Sequence, residues 1–149
     1  MKIGHIAARL GTTVRTLRFY EEQGLVTPRR SPGGTRRYDE GDVARFAAIL
    51  QLAGLGIPIA EIRTLAGIRP TASNGAEASR RVESHLAGLA AELARQRKHI
   101  EQLERDIARA RRHLPQCHPC LVKPQRDNCA SCEITPHLLQ SKVMHIVWD

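Results

Sequence analysis

Residues 82–114, VESHLAGLAAELARQRKHIEQLERDIARARRHL, contain the heptad pattern that decides the fold. The seam positions alternate in steps of four and three and are apolar except for one: Val82, Leu86, Leu89, Leu93, Gln96, Ile100, Leu103, Ile107, Ala110 and Leu114. This pattern continues over roughly four heptads without an internal proline, so it predicts one long helix with a single apolar seam. Because a chain of 149 residues has little else to cover such a seam, we expect a coiled-coil homodimer.

The composition narrows the class of protein. A formal net charge of +8 favours a polyanionic partner. No apolar run approaches the roughly 20 residues that a membrane-spanning helix needs, and the N-terminal MKIGHIAARLG lacks the apolar core of a secretion signal. We therefore expect a soluble, cytoplasmic protein without a membrane partner. In that reducing compartment, the four cysteines are expected to be ligands or redox sensors rather than disulfides.

The N-terminal part of the chain, residues 1–70, is predicted to be a small helical head. Residues 2–10 carry a one-sided apolar stripe that ends at Gly11, and a second helix follows Thr12-Thr13. Its buried side is predicted to hold Val14, Leu17, Phe19 and Leu25. Two short helices joined in this way are typical of a helix-turn-helix motif, whose second helix enters the major groove of DNA.

Basic side chains mark the surface of this predicted head. Arg15 and Arg18 share a face of the second helix, with Tyr20 close by, although an ordinary solvated face would explain the two arginines equally well. Residues 27–38, TPRRSPGGTRRY, then hold four arginines among Pro and Gly, and a tight turn at Gly33-Gly34 would make them a two-stranded wing. Such a wing can reach the phosphates that flank the groove. Further along the chain, Asp42 is predicted to cap a third helix and Pro58 to open a fourth.

The segments VRTLRFYEEQGLVTP (14–28) and GGTRRYDEGDVARF (33–46) resemble the signature of MerR-family transcriptional regulators. The resemblance extends in order and architecture over residues 1–114. It implies a winged helix-turn-helix, a long antiparallel dimerisation helix and a variable effector-binding tail. It also implies that a dimer binds double-stranded promoter DNA, which the effector-bound form distorts so that RNA polymerase can engage it. The residues that would contact DNA are Arg15, Arg18 and Tyr20 of the recognition helix and Arg36, Arg37 and Tyr38 of the wing.

The tail, residues 115–149, contains every cysteine of the chain. Pro115 is expected to stop the long helix, and the pairs Cys117/Cys120 and Cys129/Cys132 follow in a C-x₂-C-x₈-C-x₂-C pattern. Two such pairs supply the four thiolates of a tetrahedral zinc site or of an iron–sulfur cluster. A structural zinc without a sensing role stays open as an alternative, as does a chance grouping of buried cysteines.

Two branches of the family suggest what the tail senses. SoxR-like members bind a [2Fe–2S] cluster through four cysteines that begin with C-x₂-C, but their third cysteine follows as C-x-C, where this chain has Leu121-Val122. Metal-responsive members use two cysteines that flank a short loop, and the spacing from Cys120 to Cys129 has that length. Several divalent-metal sensors add a cysteine near the position of Gly75, which this chain lacks. We favour [2Fe–2S] redox sensing narrowly, then a zinc or other thiophilic-metal sensor, then a zinc-based thiol switch.

The sequence thus predicts a mainly α protein in three parts. Residues 1–70 form a winged helix-turn-helix DNA-binding domain, residues 71–114 a hinge and dimerisation helix, and residues 115–149 a four-cysteine sensor. An enzyme is not expected, because four cysteines close the coordination shell that a catalytic zinc needs open, and the thioredoxin alternative lacks a βαβ context. A constitutive DNA binder with a structural zinc is the remaining alternative to a regulator controlled by redox state or metal.

Overall fold

The computed structural model describes residues 1–148 and confirms a mainly α-helical fold with a helix-turn-helix head and one long helix. The head and long helix comprise α1 (Ile3–Arg9), α2 (Val14–Glu22), β1 (Arg29–Arg30), β2 (Arg36–Arg37), α3 (Glu40–Gly54), α4 (Ile59–Thr71) and α5 (Gly75–His113). The tail comprises a 3₁₀ turn (Leu114–Cys117), α6 (Arg126–Ala130), α7 (Thr135–Leu138), a second 3₁₀ turn (Lys142–Met144) and α8 (His145–Trp148). None of the described helices is both long and apolar enough to cross a membrane. The chain divides into two compact units, Met1–Leu86 and Ala87–Asp149.

The turn between α1 and α2 follows from its local sequence. Gly11 has a φ of +62°, a left-handed conformation that glycine adopts without a steric penalty. The side chain of Thr13 then accepts a hydrogen bond of 3.1 Å from Thr16 N and so caps α2. The core of the head contains the fully buried side chains of Ile6, Leu17, Leu25 and Phe46.

The buried face of α2 differs from the prediction at one position. Phe19 is 42% exposed, whereas Tyr20 is 5% exposed and lies in the core. The helical period explains the difference, because Tyr20 follows Leu17 by three residues and shares its face, while Phe19 is rotated by about 200° from Leu17. The predicted burial of Phe19 was therefore wrong.

The wing is a two-stranded antiparallel ribbon in which Arg29 pairs with Arg37 and Arg30 with Arg36. Its loop spans residues 31–35 and is wider than the predicted tight turn. Within that loop Ser31 N donates to Thr35 O at 2.9 Å and Gly34 N donates to Ser31 O at 2.8 Å. Gly34 has a φ of +76°. This left-handed conformation favours glycine, because a residue with a Cβ would be strained there.

The predicted starts of α3 and α4 were each displaced. Asp39, not Asp42, is the N-cap of α3, and Asp42 occupies the third helical position of a reciprocal capping box. Asp39 N donates to Asp42 Oδ2 and Asp42 N to Asp39 Oδ1, both at 3.0 Å. Pro58 is the N-cap residue that precedes α4 rather than its first helical residue.

The long helix α5 has 39 residues, which corresponds to a length of about 58 Å. It begins at Gly75, so residues 72–74 are the whole connection from α4, which is shorter than the hinge expected over residues 68–78. Local hydrogen bonds fix this start, because Glu77 N donates to Asn74 Oδ1 at 2.9 Å and Ser73 N donates to Glu77 Oε2 at 3.0 Å. The predicted long helix is thus confirmed, with an earlier and well-capped beginning.

The tail packs against the C-terminal end of α5. Ala110 of α5 forms a buried cluster with Leu138 and Met144, and the partly buried side chains around this cluster are Leu114, Cys117, Ile134 and Trp148. Ala110 and Leu114 belong to the heptad seam that was predicted to pack on a second copy of the chain. The chain's own tail covers this end of the seam instead.

Candidate functional sites

The exposed face of α2 is the first candidate site. Arg15 and Arg18 lie three residues apart on this face, and both are exposed. Together with Val14, Phe19 and Glu22 they line an open groove on the head. Neither arginine forms an ion pair with another side chain among residues 1–148. Two uncompensated guanidinium groups on one helical face can bind phosphates or the edges of guanines.

The wing extends this basic surface, but its arginines are not equivalent. Arg29 pairs with Asp39 at 3.1 Å, and Arg36 Nε pairs with Glu21 Oε2 at 3.3 Å. Arg37 is exposed and has no ion pair within the described part of the chain. Of the two wing arginines that were predicted to contact DNA, Arg36 is partly neutralised by Glu21 and Arg37 is not.

Both predicted tyrosines lie in the core of the head. Tyr38 is 4% exposed, its ring packs beside Phe46 with a centroid distance of 6.0 Å, and its hydroxyl donates to Glu21. Burial raises the pKa of Tyr38, and the neighbouring Glu21 carboxylate raises it further. Burial also raises the pKa of Tyr20. The structure therefore corrects the expectation that these two rings belong to the exposed basic surface.

Glu21 connects the two halves of this surface and was missed in the sequence. Its carboxylate lies on α2, accepts from the Tyr38 hydroxyl and pairs with Arg36 of β2. Only 8% of the Glu21 side chain is exposed. No local pattern signals this role, because both partners are distant in sequence and Glu21-Glu22 looks like an ordinary solvated pair. The consequence is a fixed position of the wing relative to α2.

The second candidate site is the set of four thiols, which the structure contains in the free form. Each C-x₂-C pair encloses a turn, because Cys120 N donates to Cys117 O at 3.0 Å and Cys132 N donates to Cys129 O at 3.1 Å. Cys117 follows α5 directly in the first 3₁₀ turn, and Cys129 belongs to α6. A turn between two cysteines of this spacing is typical of pairs that bind one metal ion.

The four thiols share one neighbourhood without forming a closed ligand shell. Burial raises the pKa of the Cys117 thiol, and the charges of Cys132, Cys120 and Cys129 raise it further. Among residues 1–148, however, no three His, Cys, Asp or Glu side chains are close enough to hold one metal ion. Four cysteine thiols are nevertheless the donor set of a thiophilic ion or an iron–sulfur cluster, and such a group would have to draw the two turns together to be bound.

Two α5 side chains fasten the tail beside these cysteines. Asp106 accepts three hydrogen bonds, from Ser141 Oγ at 3.0 Å and from the backbone N–H groups of Lys142 and Val143 at 3.1 Å each. Arg109 donates to Gln140 O at 3.2 Å. Partial burial acts to raise the pKa of Asp106, but the hydrogen bonds and Arg109 outweigh it, so the pKa is lowered. These contacts were not predicted, because their partners are distant in sequence and follow no periodic pattern.

The sequence of this chain is similar to those of known transcriptional regulators. A family model described as "MerR HTH family regulatory protein" matches residues 1–67. The chain is 38% identical over 95 residues to the "HTH-type transcriptional regulator ZntR homolog" of Haemophilus influenzae, and the alignment covers 62% of this chain and 70% of that protein. It is also 42% identical over 64 residues to the transcriptional activator TipA of Streptomyces coelicolor, of which it covers 25%. That second alignment covers 42% of this chain.

Solved structures extend the similarity beyond the head. The transcription regulator PbrR691 from Ralstonia metallidurans CH34, in complex with lead(II), aligns with 93% of this chain and 98% of its own, at a TM-score of 0.54 and 29% identity. HiNmlR, a MerR-family regulator bound to promoter DNA, aligns with 73% of this chain and 84% of its own, at a TM-score of 0.52. At 22% identity, the second similarity supports the fold alone.

Proposed function

The chain belongs to the MerR family of DNA-binding transcriptional regulators, and from this premise we propose that it controls transcription in response to a thiophilic metal ion bound by its tail. In this proposal an antiparallel homodimer binds promoter DNA in the cytoplasm. Metal uptake by Cys117, Cys120, Cys129 and Cys132 changes the distortion of that DNA, and RNA polymerase then engages the promoter. The observation that carries the proposal is the pair of C-x₂-C turns, with four cysteines outside any disulfide, in the segment that follows α5.

The DNA-binding part of the proposal rests on the charges of the head. Arg15, Arg18 and Arg37 are exposed without ion-pair partners among residues 1–148, and the Glu21 contacts hold the wing against α2. We assign direct DNA contacts to these three arginines and a weaker contact to Arg36, since Glu21 compensates part of its charge. Tyr20 and Tyr38, which are buried, are proposed to support this surface from below.

Substitution of single arginines tests the proposed DNA surface. We expect Arg18→Ala and Arg37→Ala each to weaken binding to promoter DNA, and a lost phosphate contact to reduce the slope of log affinity against log salt by about 1. Fluorescence anisotropy over a range of salt concentrations measures both quantities. Arg97→Ala, which removes the same charge from the exposed surface of α5, is the matched control. Equal affinity and slope in all three variants would place the DNA contacts elsewhere.

The metal part of the proposal rests on the donor set and on one structural relative that was solved with a metal ion. Four thiolates prefer soft or borderline ions such as zinc and lead over calcium or magnesium. PbrR691, which aligns with 93% of this chain, was crystallised with lead(II). A bound ion would supply a cross-link that displaces thiol protons and unites the two C-x₂-C turns. The chain's own contribution is to hold each cysteine pair in a turn and to anchor the tail through Asp106 and Arg109.

A [2Fe–2S] cluster is the second candidate effector, because four cysteines are its full ligand set. The cluster is favoured narrowly by the sequence, but the structural relative PbrR691 was solved with lead(II), which supports a metal ion instead. Anaerobic purification followed by an absorption spectrum and analysis of iron, zinc and sulfide distinguishes the two. Matched iron and sulfide with colour that bleaches on reduction would establish the cluster and overturn the metal-ion proposal.

The response itself is tested by removing one ligand. We expect zinc(II) or lead(II) to change transcription from the promoter in vitro with the wild-type protein. Cys129→Ser should abolish this change and leave DNA affinity intact. Ser131 lies between Cys129 and Cys132, so Ser131→Ala is the control that changes the same turn but keeps all four thiols. A full response in Cys129→Ser would contradict the assignment of the tail as the sensor.

A further inference from the structure

The C-terminal residue that the structure describes, Trp148, has a buried polar atom without a partner. Its indole Nε1–H is shielded from solvent and makes no hydrogen bond with residues 1–148. Buried N–H groups are nearly always paired, since an unpaired one has lost its water without gaining another acceptor. Indole can only donate, so the missing partner must be an acceptor. The chain has no other tryptophan, which makes this group easy to observe.

Trp148 also contacts the surroundings of both cysteine pairs. Its ring packs on the cluster of Ala110, Leu138 and Met144, against which Cys117 packs as well. Trp148 also lines a cavity of about 110 Å³ together with Cys129, Arg126 and three further residues, Pro124, Gln125 and Val147. The indole thus shares an apolar cluster with Cys117 and a cavity lining with Cys129, the first cysteines of the two C-x₂-C turns.

The position of Trp148 is fixed from the long helix. Asp106 and Arg109 bind residues 140–143 through four hydrogen bonds, and α8 begins shortly afterwards at His145. Ser141 is fully buried in this contact. The segment that carries the indole is thus anchored on α5 rather than free in solvent.

We propose that Trp148 is a positioning residue of the cysteine site, whose Nε1–H donates to the thiolate of Cys129 when the site holds a metal ion. A metal-bound thiolate stays anionic, and a charged acceptor strengthens the hydrogen bond that it receives. The ring at the same time excludes water from the side of the site that faces the cavity. This inference rests on the proposed metal-binding function, since it assigns a role toward that bound ion.

The test uses zinc(II) and the full-length protein, because zinc is diamagnetic and leaves NMR signals sharp. The single indole Nε1–H gives one cross-peak in a ¹H–¹⁵N spectrum of the wild type. We expect this peak to shift on zinc addition and its exchange with solvent to slow. We also expect Trp148→Phe, which keeps an aromatic ring but lacks the donor, to bind zinc about tenfold more weakly in competition with a chelator.

The controls separate this role from packing and from the metal site itself. Ile146→Ala removes an exposed apolar side chain of the same helix and should bind zinc as the wild type does. An indole peak that does not move at zinc saturation, or equal affinities of Trp148→Phe and wild type, would overturn the role of Trp148. A wild-type protein that fails to compete for zinc at all would instead refute the metal site, and the role of Trp148 with it.

Discussion

At the scale of single residues, Asp106 shows how one carboxylate can hold a segment. It is an acceptor for three donors of residues 141–143, and these bonds favour its charged form. Its pKa is therefore lowered from the ordinary 3.8. The sign follows directly: the stabilisation is complete above pH 3.8 and disappears as the pH falls through the lowered native value.

We therefore expect the tail to detach from α5 in acid in a way that depends on Asp106. Emission from Trp148 reports the detachment, because the ring leaves its apolar cluster when the anchor fails. Asp106→Asn, whose side chain does not titrate, should lose the part of the pH profile below 3.8 and have a looser tail at neutral pH. Asp127→Asn on α6 is the control for removing an exposed carboxylate of the same unit. Identical profiles for Asp106→Asn and wild type would show that the anchor lies elsewhere.

Residue-level prediction from the sequence succeeded where one helical period decides the outcome. Leu17, Arg15 and Arg18 lie on the faces that their spacing predicts. It failed for Phe19, whose hydrophobicity suggested burial although its angular position on α2 leaves it exposed. It also failed for Tyr20, which was predicted to contact DNA but is buried on the face of Leu17. Glu21 could not be found, since its partners Arg36 and Tyr38 become neighbours only after the wing folds back on α2.

At the scale of elements, the seam of α5 is covered by the tail at its C-terminal end and is exposed at several other positions of the single chain. Ala110 packs on Leu138 and Met144 of the tail. Ile100, by contrast, is 56% exposed in the single chain, and Leu86, Leu103 and Ile107 are exposed in the same way. The heptad pattern predicted α5 from sequence because the helical period is local. It could not reveal the tail contact, which joins segments that are distant in sequence and share no periodic signal.

We predict that the exposed part of the seam holds the homodimer together. Ile100→Asp would place a charge in a desolvated seam and should make the protein monomeric at micromolar concentration, because burial of an unpaired charge costs several kcal/mol. His99→Asp introduces the same charge at a neighbouring exposed position off the seam and should leave the dimer intact. Sedimentation or light scattering measures the mass of both variants. A dimeric Ile100→Asp protein would mean that the interface lies on another face.

At the scale of the whole molecule, the proposed metal uptake and the proposed promoter binding would require different numbers of chains. All four cysteines lie within residues 117–132 of one chain, and no cysteine occurs earlier that a partner could contribute. One chain therefore has a full set of four thiolates. Tight promoter binding needs two heads, since joining two modules raises affinity by about 10²–10⁴-fold over one.

The monomeric variant Ile100→Asp allows metal binding and promoter binding to be tested separately. We expect Ile100→Asp to bind about one zinc per chain with an affinity close to that of wild type, because its tail and its Asp106 and Trp148 contacts are unchanged. Its affinity for promoter DNA should fall by about 100-fold or more, since each head then binds alone. Chelator competition and anisotropy on the same preparation give the two numbers. If zinc binding were lost together with the dimer, the site would require groups from both chains, and the metal would then report on assembly as well as on its own concentration.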